Sequence, residues 1–148
     1  MHSPTGVPFE SAAQRDAHER LRAPLEAQFP GHVNERIHAI GYVLRFDGAT
    51  VTCTLAPWGE DDATIAVRSY LAGAVPMGEE VLRELARWTS DARFGTFGVD
   101  PADNVYFEQH LVASTTPPEM VARAVHDVMA LVAARTGEFR ARFGGTDL

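Results

Sequence analysis

The elements legible in this sequence run helix, three strands, helix, two strands, helix. That order predicts an α+β domain with a five-stranded, mainly antiparallel sheet and helices packed on one face. Three observations carry the prediction. A strict alternation of apolar residues flanks Asp47-Gly48. A strand-turn-strand-helix succession fills Arg93 to Gly145. Apolar residues recur at helical spacing in front of both groups of strands.

The first helix begins after Met1 to Phe9, a stretch holding two prolines and a glycine, and residues 1–10 are expected to be a flexible tail. Ser11-Ala-Ala-Gln14 has the spacing of a capping box, in which a Ser hydroxyl and a Gln side chain satisfy the free N–H groups of a helix start. Ala17, Leu21, Leu25 and Phe29 then line one face. Pro24 interrupts that stripe and predicts a kink or a later start, and Pro30-Gly31 ends it.

From Arg36 the period changes to two. His38, Ile40, Tyr42, Leu44 and Phe46 share a face, and Asp47-Gly48 is a strong two-residue hairpin signal. Such a loop pairs Phe46 with Ala49, Leu44 with Val51, Tyr42 with Cys53 and Ile40 with Leu55, apolar against apolar throughout. The opposite face then sets Arg45, Val43 and Gly41 against Thr50, Thr52 and Thr54. A slip of one residue would turn every apolar side chain to the wrong face.

Pro57 to Asp62 reads as an acidic loop. Ala63 to Val75 is the third strand, with Ile65, Val67 and Leu71 on one face and Arg68 and Tyr70 on the other. Pro76 to Thr89 is a short helix carrying Val81, Leu82, Leu85 and Trp88, and glutamates in its first turn suit the positive end of the helix dipole. Phe94 to Val99 and Val105 to Val112 are the last two strands, joined by the turn Asp100-Pro-Ala-Asp-Asn104. Val105, Phe107 and Leu111 face inward, with Tyr106, Glu108 and His110 opposite. Thr116-Pro-Pro-Glu119 combines a Thr cap, a proline at the first helical position and a Glu three residues after the cap. Val121, Val125, Val128 and Val132 form the stripe of the helix that follows, and Gly144-Gly145 closes it.

The 148 residues suit one domain, here residues 11–148, large enough to fold without disulfide or metal. A formal charge of −7 works against a nucleic-acid partner, which needs clustered cations. All 13 basic residues are arginine, which removes lysine-dependent phosphate loops, Schiff-base chemistry and lysine bases; codon bias is the simplest account. No apolar run reaches membrane-spanning length and no signal peptide is visible, so a cytoplasmic location and no membrane partner are expected.

No catalytic motif emerges, and no cofactor or metal is expected. The one cysteine, Cys53, lies mid-strand on the apolar face and excludes a disulfide within the chain. A serine-hydrolase elbow is absent. Glu108 and His110 share a strand face at i and i+2, and with His38 they define an alternative, a small-molecule-binding or hydrolytic site. Two such neighbours are ordinary on an exposed strand. A sheet covered on one face leaves the other solvated, paired with a second subunit, or used for binding. Val43, Tyr70 and Tyr106 among threonines fit an interface and equally an ordinary exposed sheet.

The stretch Phe94-Gly-Thr-Phe-Gly-Val-Asp100, then Asn104 to Val112, then a helix ending Ala141-Arg-Phe-Gly-Gly145, resembles the type III secretion chaperone-like domains, closest to their YbjN-like branch. Members are similar in their α-β-β-β-α-β-β-α order. The resemblance implies a bacterial, non-enzymatic module that binds a protein or peptide, is able to form a homodimer, and serves as a chaperone or sensory-transduction regulator. On that reading the contact residues are the aromatic anchors Tyr70, Trp88 and Tyr106, with Trp58 at a loop rim. An immunity-type inhibitor whose acidic surface blocks a basic enzyme uses the same charge and is a third reading.

Overall fold

The computed structural model describes residues Met1–Leu148. Helix α1 (Ala12–Gln28) is followed by strands β1 (Val33–Glu35), β2 (Gly41–Phe46), β3 (Ala49–Trp58) and β4 (Asp62–Ala72). Helix α2 (Glu79–Asp91), strands β5 (Thr96–Val99) and β6 (Val105–Val112), and helix α3 (Pro118–Phe143) complete the chain. All strands join one sheet in the order β1-β2-β3-β4-β6-β5, every neighbouring pair antiparallel.

The fold class is as expected, an α+β domain with three helices and a single antiparallel sheet, but the sheet has six strands, not five. The added strand is β1, three residues that pair with Tyr42 to Leu44 of β2. Three residues are too few to display a period of two, so the strand is invisible to patterning. The chain reverses between β1 and β2, with the Arg36 N–H donating to the Gly41 carbonyl at 2.9 Å. Gly41 sits at φ +150°, and a Cβ there would come 2.0 Å from the Cys53 carbonyl oxygen, so only glycine fits.

The β2–β3 hairpin has the predicted register: Phe46 opposite Ala49, Leu44 opposite Val51, Tyr42 opposite Cys53. Ile40 falls outside β2, yet its carbonyl still accepts from Leu55 N–H at 2.9 Å. Leu44, Val51 and Cys53 are fully buried and Tyr42 nearly so. With Ile65, Val67, Leu71, Val105 and Phe107 they form the apolar face, which all three helices cover.

Ser11 caps α1 by accepting from Gln14 N–H at 3.0 Å. Gln14 answers by accepting from Glu10 N–H, and its amide also donates to the Leu55 carbonyl at 2.9 Å, tying α1 to β3. The helix runs on through Pro24 to Gln28. At α3 the expected Thr116 cap is displaced by one residue. Pro117 holds the cap position without a side-chain hydrogen bond, and Pro118 is the first helical residue, because a 3-10 turn at Ala113–Thr115 uses Thr116 as its own end. Residues 1–10, expected to be a flexible tail, fold back on themselves: His2 pairs with Pro8, and Ser3 N–H donates to the Val7 carbonyl at 2.7 Å.

Candidate functional site

The face of the sheet opposite the helices carries Arg45, Thr50, Thr52, Thr54, Arg68, Tyr70, Tyr106 and His110, none of them buried. Its organised part lies where β4 and β6 run side by side. Their register sets Arg68 opposite Glu108, Tyr70 opposite Tyr106 and Ala66 opposite His110. Two strands separated by a helix and a further strand in the sequence thus place Arg68, Tyr70, Tyr106, Glu108 and His110 on one patch.

Arg68 is the centre of that patch. Its Nε and Nη2 both donate to Glu108 Oε2 at 2.8 Å, and its guanidinium lies 3.7 Å from the centre of the Tyr106 ring. His110 Nε2 is 2.9 Å from the other Glu108 oxygen. Tyr70 meets Tyr106 edge-on at 5.8 Å and donates to Asp100 Oδ2 at 3.3 Å, while Arg68 Nη1 reaches the Tyr70 hydroxyl at 3.4 Å. Partial burial works against charge on Arg68, but its bonds to Glu108 and Tyr70 outweigh that and hold the guanidinium above its ordinary value. Burial, and then the Glu108 charge, push the Tyr106 hydroxyl up.

Asp100 anchors the turn that sets the tip of β6. It accepts from Ala102 and Asn104 N–H at 2.9 and 3.0 Å, and from the Asn104 amide at 3.0 Å. Slight burial opposes ionisation of Asp100, but these bonds and that from Tyr70 keep its carboxyl below the usual range. Gly98 leaves the space Tyr106 needs, since a Cβ there would sit 2.5 Å from the tyrosine ring and hydroxyl.

The patch borders a cleft of about 640 Å³ lined by Phe94, Thr96, Glu108, His110, Leu111 and Met120, among others. It exists because β5 is short. β5 pairs with β6 only from Val105 to Glu108, so Gln109 to Val112 have β4 on one side and no strand on the other. Phe94 and Met120, 77% and 46% exposed, stand beside this bare backbone edge.

The residues singled out from the sequence divide. Tyr70 and Tyr106 come together as described. Trp58 is exposed at the end of β3, on the same face by strand parity and six residues along from Thr52, which pairs with Arg68. At ~3.3 Å per residue that is about 20 Å from the patch. Trp88 is instead in the core, 5% exposed, with its ring against Phe97 and Phe139 and the Arg135 guanidinium 4.7 Å above it. It has no surface to offer a partner. The helical period correctly marked it as apolar but could not distinguish an inner position from an outer one, and Leu82 on the same helix is the exposed residue.

His38 does not join Glu108 and His110. It lies exposed in the bends between β1 and β2, and β3 and β4 separate that end of the sheet from β6. No three His, Cys, Asp or Glu side chains are grouped to hold a metal. Cys53 is wholly buried, and burial pushes its thiol up to about 12, which leaves it without thiolate character near neutrality. Arg68 and Asp100, which organise the patch, and Phe94 and Met120, which line the cleft, were not legible as site residues. Only the β4–β6 pairing brings the first two together.

Fold and site therefore define a class: a small α+β module with one sheet face covered by helices and one open face that carries Tyr70, Tyr106 and Trp58. The chain belongs to the TY-Chap1 family, described as T3SS (YopN, CesT) and YbjN peptide-binding chaperone 1, whose model matches residues 15–148. It is a non-enzymatic protein-binding domain. Among solved structures it is similar to a chain of the ExsC-ExsE complex, with a TM-score of 0.60 at 15% identity over 85% of this chain and 94% of that one. It is also similar to a chain in the structure of the Yersinia pestis type III secretion chaperone SycH in complex with a stable fragment of YscM2. There the TM-score is 0.54 at 15% identity, covering 80% of this chain and 98% of the other. No curated protein matches in sequence. No helix is long and apolar enough to cross a membrane.

Proposed function

We propose that the polypeptide partner lies across the open sheet face over Tyr70 and Tyr106, reaches toward Trp58 at the rim, and runs off into the cleft beside the bare half of β6. The observation that carries this reading is that Glu108 and His110, which follow Tyr106 on the open face, also line the cleft at that unpaired edge. An extended chain there gains backbone hydrogen bonds from Gln109 to Val112 and apolar contact from Phe94 and Met120. Tyr70 and Tyr106 are held rigidly by Arg68, Asp100 and each other, so little rotamer freedom is lost when a partner settles on them. Such an arrangement suits holding an extended segment of another protein, in the way the type III secretion chaperones hold theirs, within a bacterial cytoplasm.

The test is a peptide-array selection with the intact chain, followed by affinities of the selected peptides for Tyr106→Ala, Tyr70→Ala and Trp88→Phe. Losing a rigid aromatic anchor weakens binding by about 30-fold, the ~2 kcal/mol of an interface hot spot. Trp88→Phe leaves it unchanged. Full affinity in both tyrosine variants would remove the open face from consideration. The same reading includes a homodimer along the outer edge of β5, and a monomeric mass in sedimentation at all concentrations would exclude it.

A further inference from the structure

Residues 1–9 lie on a surface that is complete without them. Beneath them, His18 on α1 is 3% exposed, stacks flat on Tyr42 with ring centres 4.7 Å apart, and bonds Glu35 of β1 at 2.8 Å. The Tyr42 hydroxyl donates to the His18 carbonyl, and Arg22 meets the second Glu35 oxygen at 3.3 Å. The bonds that join His18, Tyr42, Glu35 and Arg22 involve no residue of 1–9, so lifting the segment away breaks none of them.

The segment above it is attached sparingly. Its backbone hydrogen bonds are its own: Ser3 N–H to Val7, Gly6 N–H to Ser3, and Phe9 N–H to Met1. To the body it offers the Thr5 hydroxyl, which donates to the Arg36 carbonyl at 2.7 Å, and an Arg15–Met1 sulfur contact at 3.5 Å. The rest is apolar: Val7 and Phe9 pack against the core, and the Phe9 ring meets His18 edge-on at 5.6 Å. The segment does not seal this place from solvent: an open cleft of about 370 Å³ lies between them, with His2, Ser3, Pro4 and Phe9 on one side and His18, Glu19, Arg22, Glu35 and Tyr42 on the other.

We propose that the surface formed by His18, Glu35 and Tyr42 is a second polypeptide-binding groove, and that residues 1–9 are its resident, displaceable occupant. A partner segment with the pattern of Val7 and Phe9, an aliphatic residue two before an aromatic one, competes for the same place. The proposal rests on the peptide-binding character of the domain but not on the open face. The covalent attachment of the segment gives it an effective concentration in the millimolar range, so a free peptide of about 0.1 mM intrinsic affinity is attenuated roughly tenfold while the segment is seated.

The experiment uses the full chain, a labelled decapeptide with the sequence of residues 1–10, and the same peptide carrying Phe9→Ala as control. Fluorescence anisotropy compares the unaltered chain with its Phe9→Ala variant. The decapeptide binds the variant about tenfold more tightly than the unaltered chain, the control peptide binds neither, and the His18 ring proton resonances shift on binding. Equal binding to both chains, or none to a folded Phe9→Ala variant, overturns the proposal. So does failure of that variant to fold, because an occupant required for folding is not displaceable. A Tyr106→Ala chain in parallel separates the two sites: it weakens peptides held on the open face and leaves decapeptide competition unchanged.

Discussion

Replacing Arg68 by Met keeps most of the side-chain volume and removes the charge that organises the open face. Three contacts are lost. The pairing with Glu108, at 2.8 Å from two nitrogens, joins a carboxylate that is 8% exposed to a guanidinium that is 29% exposed. Breaking a fully buried pair costs 3–5 kcal/mol and an exposed pair 0–1, so a half-buried one falls at about 1.5–2.5 kcal/mol. The contact with Tyr106 at 3.7 Å contributes about 0.5–1 kcal/mol at a partly exposed site. The 3.4 Å approach to Tyr70 is too long to add much. The sum, about 2–3.5 kcal/mol, corresponds in a domain of this length to a fall in Tm of roughly 4–14 °C. Thermal and urea denaturation of Arg68→Met, Glu108→Gln and the double variant form a cycle that isolates the pair. A coupling of about 1–2 kcal/mol is expected. A coupling below about 0.5 kcal/mol would refute the view that Arg68 and Glu108 hold the patch together. Retention of full peptide affinity in Arg68→Met would separately deny that the tyrosines need to be held.

The two tryptophans should behave oppositely. Trp88→Ala empties a core position and costs about 3–5 kcal/mol by chemical denaturation, whereas Trp58→Ala stays within about 0.5 kcal/mol of the unaltered chain. Gly98→Ala drives a methyl into the Tyr106 ring, and the expected result is a displaced tyrosine, seen as a changed near-UV circular dichroism band, with lowered peptide affinity. Alkaline pH should destabilise the fold through Cys53. Below pH 9 the thiol is protonated whether the chain is folded or not; above it the unfolded chain ionises while the folded one stays neutral until about pH 12, so stability declines across that window. Cys53→Val should flatten the decline in denaturation midpoints measured from pH 8 to 11, and thiol reagents should label native protein only as fast as it unfolds.

Local patterning accounted for what it can see. The Asp47-Gly48 turn and the alternation around it determined the β2–β3 register, because a slip of one residue would expose Leu44, Val51 and Cys53 together. Ser11 and Gln14 announced the start of α1, since a capping box is made by residues three positions apart. The wording from Phe94 to Gly145 indicated the family, and the composition excluded whole classes of chemistry. Elements that depend on distant partners escaped. β1 is too short to have a period, and its strand identity comes from β2 beyond a reversing turn. Trp88 lies inside because α3 brings Phe139 against it. The open-face patch exists because β6 docks on β4 with β5 outside it, which sets Arg68 against Glu108 across 40 residues.

By itself, then, the sequence determined the class of fold, the order of its helices and of five of its six strands, and the side that β2, β3, β4 and β6 turn inward, all of which follow from the periods of strand and helix. Only the tertiary structure decided which polar residues meet, which tryptophan is buried, and where β6 is left bare. Those outcomes depend on strand order and on the lengths of neighbouring strands, and no local period encodes either.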